Sequence, residues 1–153
     1  TEEINEFQIG SSNKPNRTER KGLVISRVGQ GFYRQQIVEK WDGKCPVSNS
    51  NIKQILISSH IVPWSESNDI ERLDSENGIL LSPNIDSLFD KHLISFEDNG
   101  SIIISSKIDE VNQKSLGINS QIKIPVSEGM KKYLKRHRER FNEKNFKNRR
   151  WNN

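Results

Sequence analysis

Apolar residues come in short clusters separated by long polar stretches, and the spacing inside each cluster sets the element it predicts. Phe32, Ile37, Val38 and Trp41 share one face at helical intervals, predicting a helix that follows Arg27 and stops near Asp42-Gly43. Ile57-Ser58-Ser59-His60 closes a strand-like run, and Gly78-Ile79-Leu80-Leu81 reads as a second strand opened by Asn77. Ser82-Pro83 is a helix start, the serine as cap and the proline in the first turn. Residues 84–91 are therefore expected to form a short helix with Leu88 and Phe89 turned toward a core. Strand-like runs on either side of Asn99-Gly100 predict a hairpin over 93–105, and Ile122-Lys123-Ile124-Pro125 predicts one more short strand. Met130, Leu134, His137 or Arg138, and Phe141 then fall on one side of a final helix; residues 142–153 beyond it are mostly polar and expected to fray.

This order of elements is that of an α+β domain: a helix, two strands followed by a helix, a hairpin, and a C-terminal helix. At 153 residues the chain fits one domain, placed at 22–141 between a flexible polar segment, 1–21, and a basic tail, 142–153. A composition of 31% hydrophobic and 29% charged residues leaves a modest core. No apolar run approaches the roughly 20 residues that span a bilayer, and the acidic start Thr1-Glu2-Glu3 is unlike a secretion signal. A cytoplasmic location without membrane contact is the expectation. Cys45 is the one cysteine, so neither an intrachain disulfide nor a four-cysteine zinc cluster can form.

The net charge of +4 hides a sharper asymmetry. Residues 131–150 carry ten Lys or Arg against two Glu, which leaves 14 basic and 18 acidic residues elsewhere. A helix so covered is an amphipathic scaffold helix, a phosphate-binding face, or both. Phe146 and Trp151, further on, are placed to dock on the domain or to stack on nucleobases.

The middle of the chain holds the side chains that phosphodiester hydrolysis requires. That reaction needs a base to deprotonate water, a cation to neutralise charge in the transition state, and a scaffold that fixes both. His60 suits the first task, because an imidazole of ordinary pKa, about 6.5, is largely neutral near pH 7. Asp86 and Asp90 lie four residues apart and share a face of the predicted helix, where their charges repel and a cation between them makes a binding site. Each residue has a plainer alternative: a packed histidine, an Asn77-Gly78 turn, solvated helix carboxylates. Glu71, Asp74 and Glu76 are expected to be solvated in that way.

Ser-His-Ile-x-Pro-Trp at 59–64, Asn-Gly-x-Leu-Leu at 77–81 and Leu-Phe-Asp-Lys at 88–91, in that order, resemble the HNH (ββα-metal, His-Me finger) endonucleases, and among them the restriction-type branch. Upstream, Arg27 to Arg34 is similar to that family's Arg-x-Gly-Gln-x-x-Phe-Arg, and Cys45-Pro46-Val47-Ser48 to its Cys-x-Val-Thr-Gly-like segment. The resemblance implies a ββα-metal core and a metal-dependent DNA endonuclease in restriction or anti-phage defence. It makes His60 the general base, Asn77 the residue that ties the two arms together, and Asp86 and Asp90 the ligands of one divalent cation, Mg²⁺ first and Mn²⁺ as the alternative. Many relatives carry histidine at the position of Asp86, an aspartate or histidine ligand where Ser59 stands, and glycine at the position of His92. Ser59 would be a weaker third ligand, and His92 with Asp90 is the alternative ligand pair. DNA is the implied partner, with Arg27, Gln30, Arg34, Lys135, Arg136 and Arg140 as contact residues; helix capping and ion pairing are the alternative for the first three. A homodimer and a fused or associated DNA-recognition domain are further expected partners. The rival reading is a noncatalytic DNA-binding module with a degenerate HNH site.

Overall fold

The computed structural model describes residues 27–151, with side chains described for 28–146. The segment 1–21 and the side chains of Arg27 and Trp151 lie outside the described residues. In order come α1 (Arg27–Lys40), β1 (Ile57–His60), a 3-10 turn (Trp64–Glu66), α2 (Asp69–Leu73), β2 (Gly78–Leu81), α3 (Pro83–Asp90), β3 (Ile94–Phe96), β4 (Ile102–Ile104), α4 (Glu110–Leu116), a second 3-10 turn (Glu128–Met130) and α5 (Lys131–Trp151). The class is α+β. Among the described residues, no helix is long and apolar enough to cross a membrane.

β1 and β2 form a two-stranded antiparallel sheet in which Ile57 faces Leu81 and His60 faces Gly78. Side chains alternate along a strand, so Ser58, His60, Gly78 and Leu80 share one face and Ile57, Ser59, Ile79 and Leu81 the other. Helix α1 packs on the first face, where Arg34 bonds Ser58 and Tyr33 stacks on His60. Helix α3 packs on the second, where Asp86 meets Ser59.

The buried stripe of α1 is Tyr33, Ile37 and Trp41, four residues apart, with Phe32 and Val38 half-buried beside it. Tyr33 therefore takes the place expected of Phe32. Its hydroxyl donates to the Asn77 carbonyl at 2.7 Å and the Trp41 indole to the Gly78 carbonyl at 3.0 Å, so both polar tips are satisfied inside the core. Gly78 serves this contact and not a turn: a Cβ there would sit 2.2 Å from the Tyr33 hydroxyl.

Helix α3 begins at Pro83, but the Ser82 hydroxyl does not cap it; it bonds Asn84 and Ser48 instead. The hairpin pairs Ile94 with Ile104 and Phe96 with Ile102. The strand expected at 122–125 is reduced to one bridge, Ser101 to Lys123. Helix α4 has no counterpart in the sequence reading. Its cap is Asp109 and its stop Gly117, and its Val111 is 76% exposed. Helix α5 runs on past residue 142 to Trp151. Buried Asn145 fastens it, donating to the carbonyls of His92 and Phe141 and accepting from the Ser105 hydroxyl. Tyr133 also joins the buried side of α5, next to Met130, Leu134, His137 and Phe141.

Candidate active site

His60 closes β1, and its imidazole is held on three sides. Nε2 lies 2.9 Å from the Arg72 carbonyl, which can only accept, so Nε2 carries the hydrogen and Nδ1 is the basic nitrogen. The Tyr33 ring is stacked on it with centroids 4.2 Å apart and planes within 4°, and Trp64 meets it edge-on at 5.7 Å. Burial lowers the imidazole pKa; the bond to Arg72 opposes this and the Arg72 charge reinforces it. The result is a neutral ring with an available lone pair at neutral pH.

Asn77 is fully buried. Its side-chain oxygen accepts from the Val62 amide at 2.9 Å, and its nitrogen donates to the Glu71 carbonyl at 2.9 Å. These bonds draw the 61–77 connector into a closed loop and hold Arg72, whose carbonyl orients His60.

Asp86 faces the other side of the sheet. Burial raises its pKa and the neighbouring charge of Asp90 adds to the rise, whereas a hydrogen bond from Ser59 and the charge of Lys91 work against it. A half-buried carboxylate fixed by a hydroxyl, with a second carboxylate one turn on, fits a hard cation that keeps positions open for water and phosphate, as Mg²⁺ does. The set does not suit a closed cage: among the described residues, no three His, Cys, Asp or Glu side chains converge to hold a metal. The structure thus brings Ser59, Asp86 and Asp90 together and puts His60 on the opposite face, one residue along the strand.

Burial, the largest effect, lowers the His92 pKa, and the charge of Asp90 is among those that raise it. His92 is buried, stacked on His137 at 4.3 Å, and its Nδ1 is 3.1 Å from the Lys144 ammonium. Its φ of 57° lies in the left-handed region, which explains why glycine suits this position. Asn49, with φ 64°, stands likewise where the Cys-x-Val-Thr-Gly-like segment has glycine.

A cleft of about 600 Å³ opens beside His60, with Gln30, Arg34, Trp64 and Arg72 among its walls. Gln30 and Arg34 therefore share a cleft with the candidate base. The Arg34 guanidinium donates to the carbonyls of Leu56 at 2.9 Å and Lys53 at 3.0 Å and to the Ser58 hydroxyl at 3.2 Å. It braces the chain leading into β1 rather than capping its own helix.

On α5, Lys135 is exposed, Arg136 pairs with Glu71 at 2.6 Å, and Arg140 pairs with Glu66 at 2.9 Å and Glu143 at 3.1 Å. The connector carboxylates expected to be solvated are fastened instead. Glu71 holds Arg136, Asp74 accepts from Tyr133 at 2.6 Å, and Glu76 holds Lys40 at 2.7 Å and Ser127. Burial alone would raise the pKa of Glu71, but its bonds to the Asn68 amide and to Arg136 outweigh burial and lower it. Tyr33 and the Arg72 carbonyl are the parts of the site that the sequence reading missed, and a backbone carbonyl leaves no signal in a side-chain motif.

Residues 45–97, which include His60, Asn77, Asp86 and Asp90, match the family model of the HNH endonucleases. A search among curated proteins finds none that matches the chain.

Proposed function

We propose that this protein is a metal-dependent DNA endonuclease of the HNH type, with His60 as its general base. The observation that carries the proposal is the fixed imidazole: Nε2 is committed to the Arg72 carbonyl, and Nδ1 remains basic at the end of a strand inside the matched span. A phosphodiester lies across that strand end, where Ser59 and His60 reach opposite faces about 3.3 Å apart along the chain. Nδ1 takes a proton from a water as its oxygen attacks phosphorus, the bond from phosphorus to O3′ breaks, and the O3′ alkoxide takes a proton from solvent water, leaving 5′-phosphate and 3′-hydroxyl ends. Asp86 and Asp90 would hold one divalent cation, Mg²⁺ or Mn²⁺, which when bound supplies charge stabilisation to the transition state and the leaving oxygen. Ser59 fixes the Asp86 carboxylate, and Asn77 keeps the Arg72 carbonyl on Nε2. Gln30 and Arg34 in the cleft, together with Arg27 and with Lys135, Arg136 and Arg140 on α5, contact the DNA backbone. A restriction or anti-phage role, as a homodimer or beside a DNA-recognition domain, belongs to the same proposal.

Cleavage of supercoiled plasmid in Mg²⁺, Mn²⁺ or EDTA tests it. Nicking that EDTA stops, and that His60→Ala lowers by about 10² to 10⁴, is the expected result. The second reading, a noncatalytic DNA-binding module, is favoured by the placement of base and carboxylates on opposite faces of β1. Plasmid binding without a cut in either metal would establish it and overturn the nuclease.

A further inference from the structure

We infer that Tyr33 is a positioning residue for His60: its ring fixes the plane of the imidazole, so that the basic nitrogen points in one direction before substrate arrives. The inference rests on the proposed role of His60. Two contacts and the space around them support it. The two rings are parallel within 4° at 4.2 Å. The Tyr33 hydroxyl is anchored at 2.7 Å to the backbone carbonyl of Asn77, the residue whose side chain closes the connector that carries Arg72. The cross-strand neighbour of His60 is Gly78, and any side chain there would occupy the space that the Tyr33 hydroxyl fills.

The imidazole keeps a single free torsion. The hydrogen bond from Nε2 to the Arg72 carbonyl restrains one ring atom, and the ring can still rock about that bond. The edge contact with Trp64, at 5.7 Å, does not define a plane. A flat face stacked on the imidazole does, and it turns a hinged base into a fixed one. Because proton transfer depends steeply on alignment, a rocking base loses turnover while DNA affinity stays as it was. Tyr33 also lies in α1, outside the matched span 45–97, so the unit that presents the base extends N-terminally beyond that span.

The experiment compares wild type with Tyr33→Leu, Tyr33→Phe and His60→Ala in the full chain. It measures kcat and KM for plasmid nicking, DNA affinity in EDTA, and the ¹⁵N signals of His60, simple to assign among three histidines. Tyr33→Leu is expected to lower kcat about tenfold or more with KM and DNA affinity nearly unchanged. Its His60 ring signals should broaden, because the ring rocks about a hydrogen bond that still fixes the Nε2–H tautomer. Tyr33→Phe keeps the flat face and is expected to restore both kcat and the sharp His60 signals. Should leucine compromise folding, Tyr33→Met removes the flat face with a better fill of the core and is read in the same way. Wild-type kcat with unbroadened His60 signals in the leucine or methionine variant overturns the inference, as does a phenylalanine variant no better than leucine. An inactive His60→Ala beside a fully active Tyr33→Leu overturns the positioning role alone. An active His60→Ala overturns the base assignment and the kinetic consequence drawn from it.

Discussion

At Gly100 a side chain would meet the Ile124 backbone carbonyl at 1.8 Å, and φ is 92°, so both space and conformation demand glycine. At Gly117 φ is 73°, but nothing lies within 4 Å of an added Cβ. Gly100→Ala should therefore cost about 3 kcal/mol or more, against about 1 kcal/mol for Gly117→Ala. Thermal unfolding separates the two by several degrees; equal shifts would mean that the turn relaxes around the new methyl. Asp86 is the other residue with a sharp test. Asp86→Ala should lose Mg²⁺ binding in calorimetry together with nicking, and Asp86→His should shift preference toward metals that accept imidazole nitrogen. Wild-type Mg²⁺ affinity in Asp86→Ala would put the ligands elsewhere. Because the Ser59 hydroxyl bonds the Asp86 carboxylate, Ser59→Asp sets like charges together. Its stability should become dependent on Mg²⁺, seen as a larger rise in Tm with added metal than in wild type.

At the scale of elements, α5 has two kinds of cation. Arg136 and Arg140 are bound to carboxylates of the connector, whereas Lys135 projects from the exposed side. Lys135→Glu is expected to weaken DNA binding for all sequences and to flatten its salt dependence, with Tm unchanged. Arg136→Glu should in addition cost about 1 kcal/mol of stability, because it turns the pair with Glu71 into a repulsion. An unchanged salt slope in both variants would assign α5 to scaffolding. The length of α5 was not legible in the sequence. Residues beyond 142 have no apolar stripe; among the described residues, the buried amide of Asn145 and the Lys144 ammonium bond chain 40 and more residues away. Helix α4 escaped notice for a related reason: a short polar helix defined by its cap and its glycine stop has no periodicity to read.

For the whole molecule, pH reports on the histidine stack that joins α3, α5 and the start of the hairpin. His137 lies between Phe89 and His92, donating from Nε2 to the Phe89 carbonyl at 2.9 Å and accepting the Ser95 hydroxyl at Nδ1, 2.8 Å. Burial, with a contribution from His92, pushes its pKa down to about 3. An unfolded chain takes up that proton near pH 6.5, so between about 6.5 and 3 the unfolded state binds more protons and stability falls as pH falls. Above pH 6.5 the contribution is fully present. In urea unfolding between about pH 7 and 5, His137 should contribute up to about 1.4 kcal/mol per unit to the slope, a contribution lost in His137→Phe. An identical slope in that variant would place the pH dependence in other groups.

Local patterns in the sequence determined the strands β1 and β2, the proline-started helix α3, the hairpin and the start of the basic helix, because periodicity, caps and turn residues act over a few neighbours. They also marked His60, Asn77, Asp86 and Asp90 within the span that matches the HNH family. Tertiary structure alone decided which groups meet. Alternation along β1 sends His60 toward α1 and Ser59 toward α3, and the close approach of α1 over Gly78 brings Tyr33 onto the imidazole. Asp74 and Glu71 gain partners because α5 packs back across 59 and 65 residues of chain, and Glu76 because Lys40 of α1 reaches it. Such contacts depend on how elements dock, which is settled by the shape of the whole core and has no local signature.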